Sequence, residues 1–420
     1  SAASDVYKRQ VDGFHREAND YRVPGSAESV AQLASEGEVL EVFSDSRVLG
    51  SRYEQQGGAV GASWLLDRGF MGMAVSRREA EYGLPGHAHE DGAPPVLDQE
   101  QWRYDIEAGY QPEADAIENI NLRGAYNNYQ HVELEEGEVG TQFENDAWEL
   151  RAETTLKLIE HWTTVLGLQV GDREYSVIGE EAYVPSVDTR SQAVFGLAQT
   201  AFQLLGVEDV QFEMGLRYEH IEYEPDSITS AARQFDNVSA SAGLIMPLTD
   251  ALTTTLQVDY AQRAPVAEAL YSDGPHLATQ SYDVGDDQLQ TEQAWYYSVG
   301  IDWDIERVRA KVTGYFIDFE RFVFQLPNTD AGGAVVLIDD LPELRFAQAP
   351  ARFYGLDFEL EKRLIDWQSG ELGARLGYDF VHAERAGGTA LPRIPADRVH
   401  LAIDFNHKIF TAVALSLIHI

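Results

Sequence analysis

The chain has 420 residues, no cysteine and a formal net charge of −39, from 70 acidic against 31 basic residues. This negative field speaks against nucleic-acid binding, and since no stretch approaches 18 consecutive apolar residues, a transmembrane helix is excluded. The charge would attract cations, although a source that lives in salty water and carries acidic proteins generally would explain it as well.

The two ends of the chain differ from the rest. The first ten residues, SAASDVYKRQ, fit no strand pattern and look like translated adapter sequence, and so do Leu415 to Ile420, LSLIHI. No signal peptide opens the chain, although an exported protein needs one. We therefore expect non-native tips at 1–10 and 415–420, with the protein proper at 11–414.

From about residue 57 onward, apolar and polar residues alternate in segments of roughly ten. Residues 150–158, 210–218 and 252–260 show the pattern most clearly. In 210–218 the apolar set is Val210, Phe212, Met214, Leu216 and Tyr218. One apolar and one charged face, sustained over many strands, predicts a membrane-spanning β-barrel around a wet lumen.

The connections between these segments alternate between short and long. Short ones fall near 67–69, 111–117, 159–162, 205–209, 248–251, 304–306 and 363–370, and long ones near 78–97, 132–143, 173–189, 223–235, 263–291, 320–349 and 383–395. Short periplasmic turns and long extracellular loops are typical of bacterial outer-membrane barrels. We therefore predict an all-β transmembrane antiparallel barrel with about 16 or 17 strands, with a soluble secreted β-protein as the alternative.

Aromatic residues fall near the ends of several predicted strands. Examples are Trp102 with Tyr104, Trp148, and Trp295 with Tyr296 and Tyr297. Girdles at the two membrane interfaces use aromatic residues in this way. Core packing in a soluble β-protein would use them equally well, so this pattern alone does not decide between the two.

A histidine-rich loop carries the sharpest functional hypothesis. His87 and His89 flank Ala88 and precede Glu90 and Asp91. In an extended backbone residues i and i+2 point the same way, and imidazole and carboxylate groups both ligate Zn²⁺. The third ligand would be Glu90 or Asp91 of the same loop, or His276 of another long loop. Chance surface histidines are the alternative.

A resemblance to a known family rests on three segments, RAPVAEALYSDGPHLAT (263–279), RFYGLDFE (352–359) and LPRIPADR (391–398). They resemble, in that order, a strand end with its following loop, a later strand and a loop end of the TonB-dependent outer-membrane receptors. The matching residues are Arg263, Ala264, Pro265, Glu268, Leu270, Tyr271, Gly274, Pro275, His276, Ala278 and Thr279, with Gly285, Leu289 and Glu292 downstream. YGLPGHAHED (82–91) and GEVGTQFENDAWE (137–149) resemble the zinc-uptake branch.

The resemblance implies a barrel of about 22 strands filled by an N-terminal plug. On that basis 11–414 is part of a barrel, and we expect the plug and the closing strands to be absent from this chain. The implied partners are outer-membrane lipid, a small ligand or metal ion, and the TonB–ExbB–ExbD complex acting through the plug. We expect a monomer that does not bind nucleic acid.

The implied activity is energised import of a scarce nutrient by loop capture and plug gating, with zinc the first candidate. A ferric siderophore, haem or cobalamin in the same barrel is one alternative, and a passive porin-like barrel is another. The chain shows no phosphate-binding loop, nucleophile elbow or CxxC site, and we predict neither an enzyme nor a required cofactor, with Zn²⁺ only as transported ligand.

Overall fold

The computed structural model describes residues 7–23, 47–85, 94–135, 137–179, 182–276 and 279–419. These residues form an all-β structure of 21 strands with one five-residue helix, which confirms the predicted fold class. Among them, no helix is long and apolar enough to cross a membrane.

The elements follow in chain order. They are β1 (Tyr7–Ala18), β2 (Tyr53–Leu66), β3 (Gly69–Gly83), β4 (Val96–Tyr110), β5 (Ile117–Glu135), β6 (Glu138–Leu156), β7 (Trp162–Gly179), β8 (Val187–Leu204), β9 (Val207–Pro225), β10 (Arg233–Thr249), β11 (Leu252–Arg263), α1 (Ala267–Tyr271), β12 (Asp273–His276), β13 (Ser281–Val284), β14 (Glu292–Ile305), β15 (Val308–Pro327), β16 (Leu337–Ile338), β17 (Leu341–Trp367), β18 (Gly370–Arg385), β19 (Thr389–Ala390), β20 (Arg398–His407) and β21 (Phe410–His419).

The long strands form one antiparallel meander. Of the 21 strands, β12, β13, β16 and β19 are short strands inside loops, and the remaining 17 pair each with the next in the chain. This agrees with the predicted 16 or 17. Within the described ranges, β1 pairs only with β2 and β21 only with β20.

The strands are longer than predicted. They reach 27 residues in β17, and the predicted long loop 132–143 is strand, because β5 ends at Glu135 and β6 starts at Glu138. The predicted loops 173–189 and 320–349 are likewise shortened from both sides. At this end of the strands apolar and polar residues occur on both faces, so the alternation that marks a strand in sequence fades while the backbone ladder continues.

The ends of the chain also differ from the prediction in structure. Residues 7–10 belong to β1 and pair with β2, and 415–419 belong to β21 and pair with β20. The first strand therefore starts well before residue 57, where the alternation becomes visible. The non-native origin of 1–10 and 415–420 stays a prediction.

The two faces of the strands separate apolar from polar residues as predicted. On β9, Met214, Leu216 and Tyr218 are exposed on the outer face, while Arg217 and Glu219 point to the lumen and form an ion pair at 2.7 Å. Lipid solvates the outer face and water the inner one, so both are stable without a dry core between two sheets.

Aromatic rings border the outer apolar face at two levels. Tyr104 contacts Tyr126 at 6.0 Å between ring centres, and Tyr126 pairs across the strands with Trp148. On β14, Trp295 and Trp303 stand eight positions apart on the same face, about 27 Å along the strand. A tilted strand would then cross an apolar band of about 25 Å, as interfacial girdles require.

Candidate functional site

The candidate site lies at the end of the barrel that carries the long loops, called the mouth below. One of these connections, loop 264–291, folds inward and holds α1 against the inner wall. Ala269 and Leu270 are almost fully buried there. Their cluster contains Phe143, Val177, Val184, Val187, Tyr223, Phe235, Ala264, Ala267, Ala269, Leu270, Tyr271 and Leu289. Much of the RAPVAEALY motif therefore forms the core of the mouth, and Pro265 is buried two residues after the end of β11.

Loop 264–291 is tied to three other long connections by hydrogen bonds. The hydroxyl of Tyr271 donates to the carbonyl of Ala231 at 3.0 Å, and the backbone N–H of Asp273 donates to the carbonyl of Tyr183 at 2.7 Å. The short strand β13 pairs in parallel with the start of β17. These contacts make the loop the centre of the mouth, rather than a separate exposed arm.

A row of stacked rings runs from the wall to this loop. His131 stacks on Phe143 with ring centres 4.3 Å apart, and Tyr183 stacks on His276 at 4.2 Å. Phe143 and Tyr183 join the two pairs at 6.4 Å. Burial lowers the pKa of His131, so this ring is neutral at pH 7.

His276 is oriented by Asp283. Its Nδ1 lies 3.1 Å from Oδ2 of Asp283, and the hydroxyl of Ser281 donates to Oδ1 at 2.7 Å. Burial of Asp283 works against its charge, but the hydrogen bonds from His276 and Ser281 outweigh burial and lower the pKa of the carboxyl group. A carboxylate on one ring nitrogen fixes the orientation of the imidazole and leaves Nε2 for a ligand.

Three tyrosines of the mouth lie within range of the charge of Glu268. Burial, followed by the charge of Glu268, raises the pKa of Tyr183 to about 12, and burial also raises the pKa of Tyr175 and Tyr223. Tyr175 and Tyr183 are hydrogen-bonded to each other. At pH 7 these phenols are protonated, so they can donate hydrogen bonds to a ligand but do not act as phenolate ligands for a metal.

A second, apolar surface lies on the lumen side of β15 and β17. Phe319, Phe322 and Phe353 meet edge to face, with ring centres 4.9 to 5.4 Å apart. A bulge in β15 between Phe319 and Phe322 shifts the register, and this turns both rings inward. We call these three residues the phenylalanine cluster. Leu391 of the LPRIP loop packs against them.

Only part of the predicted metal site can be compared with the structure. His87, His89, Glu90 and Asp91 lie outside the described residues, in 86–93. Of the predicted ligands, the structure places only His276, at the mouth beside Asp283. Among the described residues, no three His, Asp or Glu side chains are grouped to hold a metal ion.

Sequence reasoning missed Asp283, Tyr175, Tyr183 and the phenylalanine cluster. A signal was present for Tyr175, because it falls on the same strand face as Arg173 and Val177 and therefore on the lumen side. No sequence pattern indicated that Asp283 lies beside His276, since β12 and β13 meet only when the loop folds back on itself.

Comparison with known proteins gives one family and many similar structures. The family model "TonB dependent receptor-like, beta-barrel" matches residues 41–416. The copper transporter OprC aligns with a TM-score of 0.77 at 13% identity, over 99% of this chain and 62% of that chain. The FrpB iron transporter from Neisseria meningitidis aligns with a TM-score of 0.69 at 10% identity, over 97% and 64%.

A third structure is a double mutant of the Serratia marcescens hemophore receptor HasR in complex with its hemophore HasA and heme. It aligns with a TM-score of 0.68 at 12% identity, over 99% of this chain and 71% of that chain. At these identities the likeness establishes the fold. The chain spans less than two thirds of the length of OprC and FrpB.

Proposed function

The chain belongs to the TonB-dependent receptor β-barrel family, and on that premise we propose that it is the barrel wall of a receptor that imports a scarce nutrient. As a member of this family it is an outer-membrane protein. We propose that the mouth captures the nutrient and that a plug rearrangement, driven by the TonB–ExbB–ExbD complex, releases it inward. In this proposal the receptor acts as a monomer and catalyses no reaction.

The folding of loop 264–291 into the lumen is the observation that carries this proposal. It brings the ring row, with His276 held by Asp283, and the tyrosines around Glu268 to one end of a polar lumen. Rings, hydrogen-bond donors and carboxylates that converge in a concave space are what a ligand site needs.

The cargo we propose first is zinc. Its support is the pattern of His87, His89, Glu90 and Asp91 on one long connection, together with His276 on another. His276 lies at the mouth, where Asp283 contacts its Nδ1, so Nε2 is not engaged by this carboxylate. The negative charge of the chain favours cationic cargo. A ferric siderophore, haem or cobalamin is the alternative, and the copper, iron and haem proteins of the same fold are consistent with metal-containing cargo in general.

Uptake of radioactive Zn²⁺ by cells that express the receptor tests this proposal. We expect uptake that requires TonB. In the double variant His87→Ala, His89→Ala we expect the apparent affinity for Zn²⁺ to fall at least about tenfold, because two of the proposed metal ligands are lost. The matched control is His220→Ala with His382→Ala, since both rings lie on the outer face.

Three results would change the proposal. If Zn²⁺ neither binds nor enters and the double variant alters nothing, zinc is wrong, and binding of a ferric chelate, haem or cobalamin would identify the cargo. If uptake persists without TonB, the barrel is a passive porin. If the protein stays in the aqueous phase, the membrane assignment itself fails.

A further inference from the structure

A buried carboxylate stands at the neck of loop 264–291. Glu292 opens β14 and lies directly opposite Arg263, the last residue of β11. Its side chain is only 4% exposed, and acidic side chains are almost never so buried unless paired. Its Oε2 accepts hydrogen bonds from both Nε (2.8 Å) and a terminal nitrogen of Arg263. The pair therefore closes the neck of the loop.

The other oxygen of the same carboxylate reaches a different element. Oε1 of Glu292 accepts a hydrogen bond from the backbone N–H of Val323 at 2.7 Å. Val323 follows the bulge in β15 that turns Phe319 and Phe322 toward the lumen. One oxygen thus holds the loop neck, and the other holds the strand segment that displays the phenylalanine cluster.

We propose that Glu292 is a positioning residue that fixes loop 264–291 and the phenylalanine cluster relative to one another. This inference rests on the proposed function, since it assigns both surfaces to one ligand. Charge-assisted hydrogen bonds are among the stronger ones in proteins. The carboxylate adds such bonds to both elements, beside the packing of Val323 against the apolar cluster of the loop and the hydrogen bond between Asp283 and Gln325. A mouth fixed in this way binds its ligand without first ordering its parts.

Hydrogen–deuterium exchange of the purified receptor in detergent tests, without any ligand, whether Glu292 holds the two elements together. In Glu292→Gln the side chain keeps its shape, but one carboxylate oxygen becomes an NH2 donor and the charge is lost. In either orientation of the amide, one of the two contacts is broken and the other is no longer charge-assisted, so both segments are held less tightly. We expect exchange to rise about tenfold in 264–291 and in 319–326 together. Asp302→Asn is the matched control, because it neutralises a lumen-facing carboxylate of the same strand that pairs with Arg309 at 3.0 Å.

Arg263→Ala separates the contact of Glu292 with Arg263 from its contact with Val323. It also replaces Glu292→Gln as the test variant if that protein does not assemble in the membrane. It removes the neck contact and keeps the hydrogen bond to Val323, so we expect faster exchange in 264–291 and no change in 319–326. If exchange in both segments of the variants equals that of the Asp302→Asn control, or if only one segment responds to Glu292→Gln, the proposal is wrong.

Zn²⁺ uptake adds a readout that a purely structural residue would not move. We expect Glu292→Gln to raise the Zn²⁺ concentration for half-maximal uptake about fivefold, with the maximal rate within about twofold of the unchanged receptor. If instead the maximal rate falls about fivefold while the Zn²⁺ concentration for half-maximal uptake stays the same, the positioning role is wrong. If the unchanged receptor takes up no Zn²⁺, the proposed cargo fails, and the exchange result alone decides whether Glu292 holds the two elements together.

Discussion

Gly355 shows how a single position serves the inner wall of the barrel. It lies on the lumen face of β17, where the ring of Tyr315 on the neighbouring strand covers it. A Cβ at this position would collide with the hydroxyl end of that ring and would lie 2.5 Å from the carbonyl oxygen of Phe380. The lumen-facing register follows from the alternation of strand faces, but the ring that needs the space cannot be found in this way.

Gly355→Ala is therefore expected to destabilise the barrel by about 1–3 kcal/mol, because the tyrosine ring and a neighbouring strand must shift. The measurement is the urea concentration at which half of the receptor loses its folded, heat-modifiable mobility on a gel. Gly314→Ala is the control, since no atom lies within 4 Å of its added Cβ. Equal midpoints for both variants would contradict the packing argument.

His276 shows the limit of prediction at the same scale. The alternation of short and long connections predicted that it lies on a long loop, and the structure places it in loop 264–291 at the mouth. Its contacts with Asp283 and Tyr183 depend on a hairpin and on another loop. No spacing rule connects residue 276 with residue 183, because their distance is set by how two loops fold into the lumen.

At the scale of the element, β14 separates two environments along one strand. Trp295, Tyr297, Val299, Ile301 and Trp303 face outward, and Ser298, Gly300 and Asp302 face the lumen. Alternation with a period of two is a direct consequence of strand geometry. For this reason strand direction and facing were predictable wherever lipid imposes an apolar outer face.

Adjacent substitutions on β14 test this assignment of faces. Val299→Arg puts a charge on the lipid side near the middle of the apolar band, which costs about 2–4 kcal/mol, whereas Ser298→Arg puts it in the wet lumen, where it is tolerated. We expect a lower yield of folded receptor in the membrane only for Val299→Arg. Similar yields for both variants would mean that the outer face does not meet lipid.

The strand ends near the mouth could not be predicted in the same way. β5 and β6 continue to Glu135 and from Glu138 through a segment, 132–143, that reads as a polar loop. Above the membrane neither face is forced to be apolar, so hydropathy no longer records the ladder. Backbone hydrogen bonds extend these strands, and they leave no mark on side-chain composition.

At the scale of the whole molecule, the interleaved connections give the barrel its orientation. Turns such as 157–161 and 250–251 lie at one end, and loop 264–291 lies at the other with its neighbours 226–232 and 328–340. In outer-membrane barrels the short turns face the periplasm. The mouth, with both candidate ligand surfaces, then faces the outside of the cell.

Cysteine labelling of intact cells checks this orientation, and the chain has no cysteine of its own to interfere. Ile228→Cys adds a thiol to a fully exposed position in loop 226–232, and we expect a membrane-impermeant maleimide to label it. Glu160→Cys, at an exposed position in a short turn, should react only after the outer membrane is opened. Labelling of Glu160→Cys in intact cells would reverse the orientation.

The barrel class, the two faces of each strand and the side on which the long loops lie can be read from the amino-acid sequence alone. These properties follow from the period of a strand and from the contrast between lipid and water, which act on every residue in turn. Three other features emerge only from the folded molecule: loop 264–291 folds into the lumen, Asp283 holds His276, and Glu292 joins the loop neck to the bulge of β15. These contacts join residues from different loops and strands, and their geometry arises only when the whole wall has assembled.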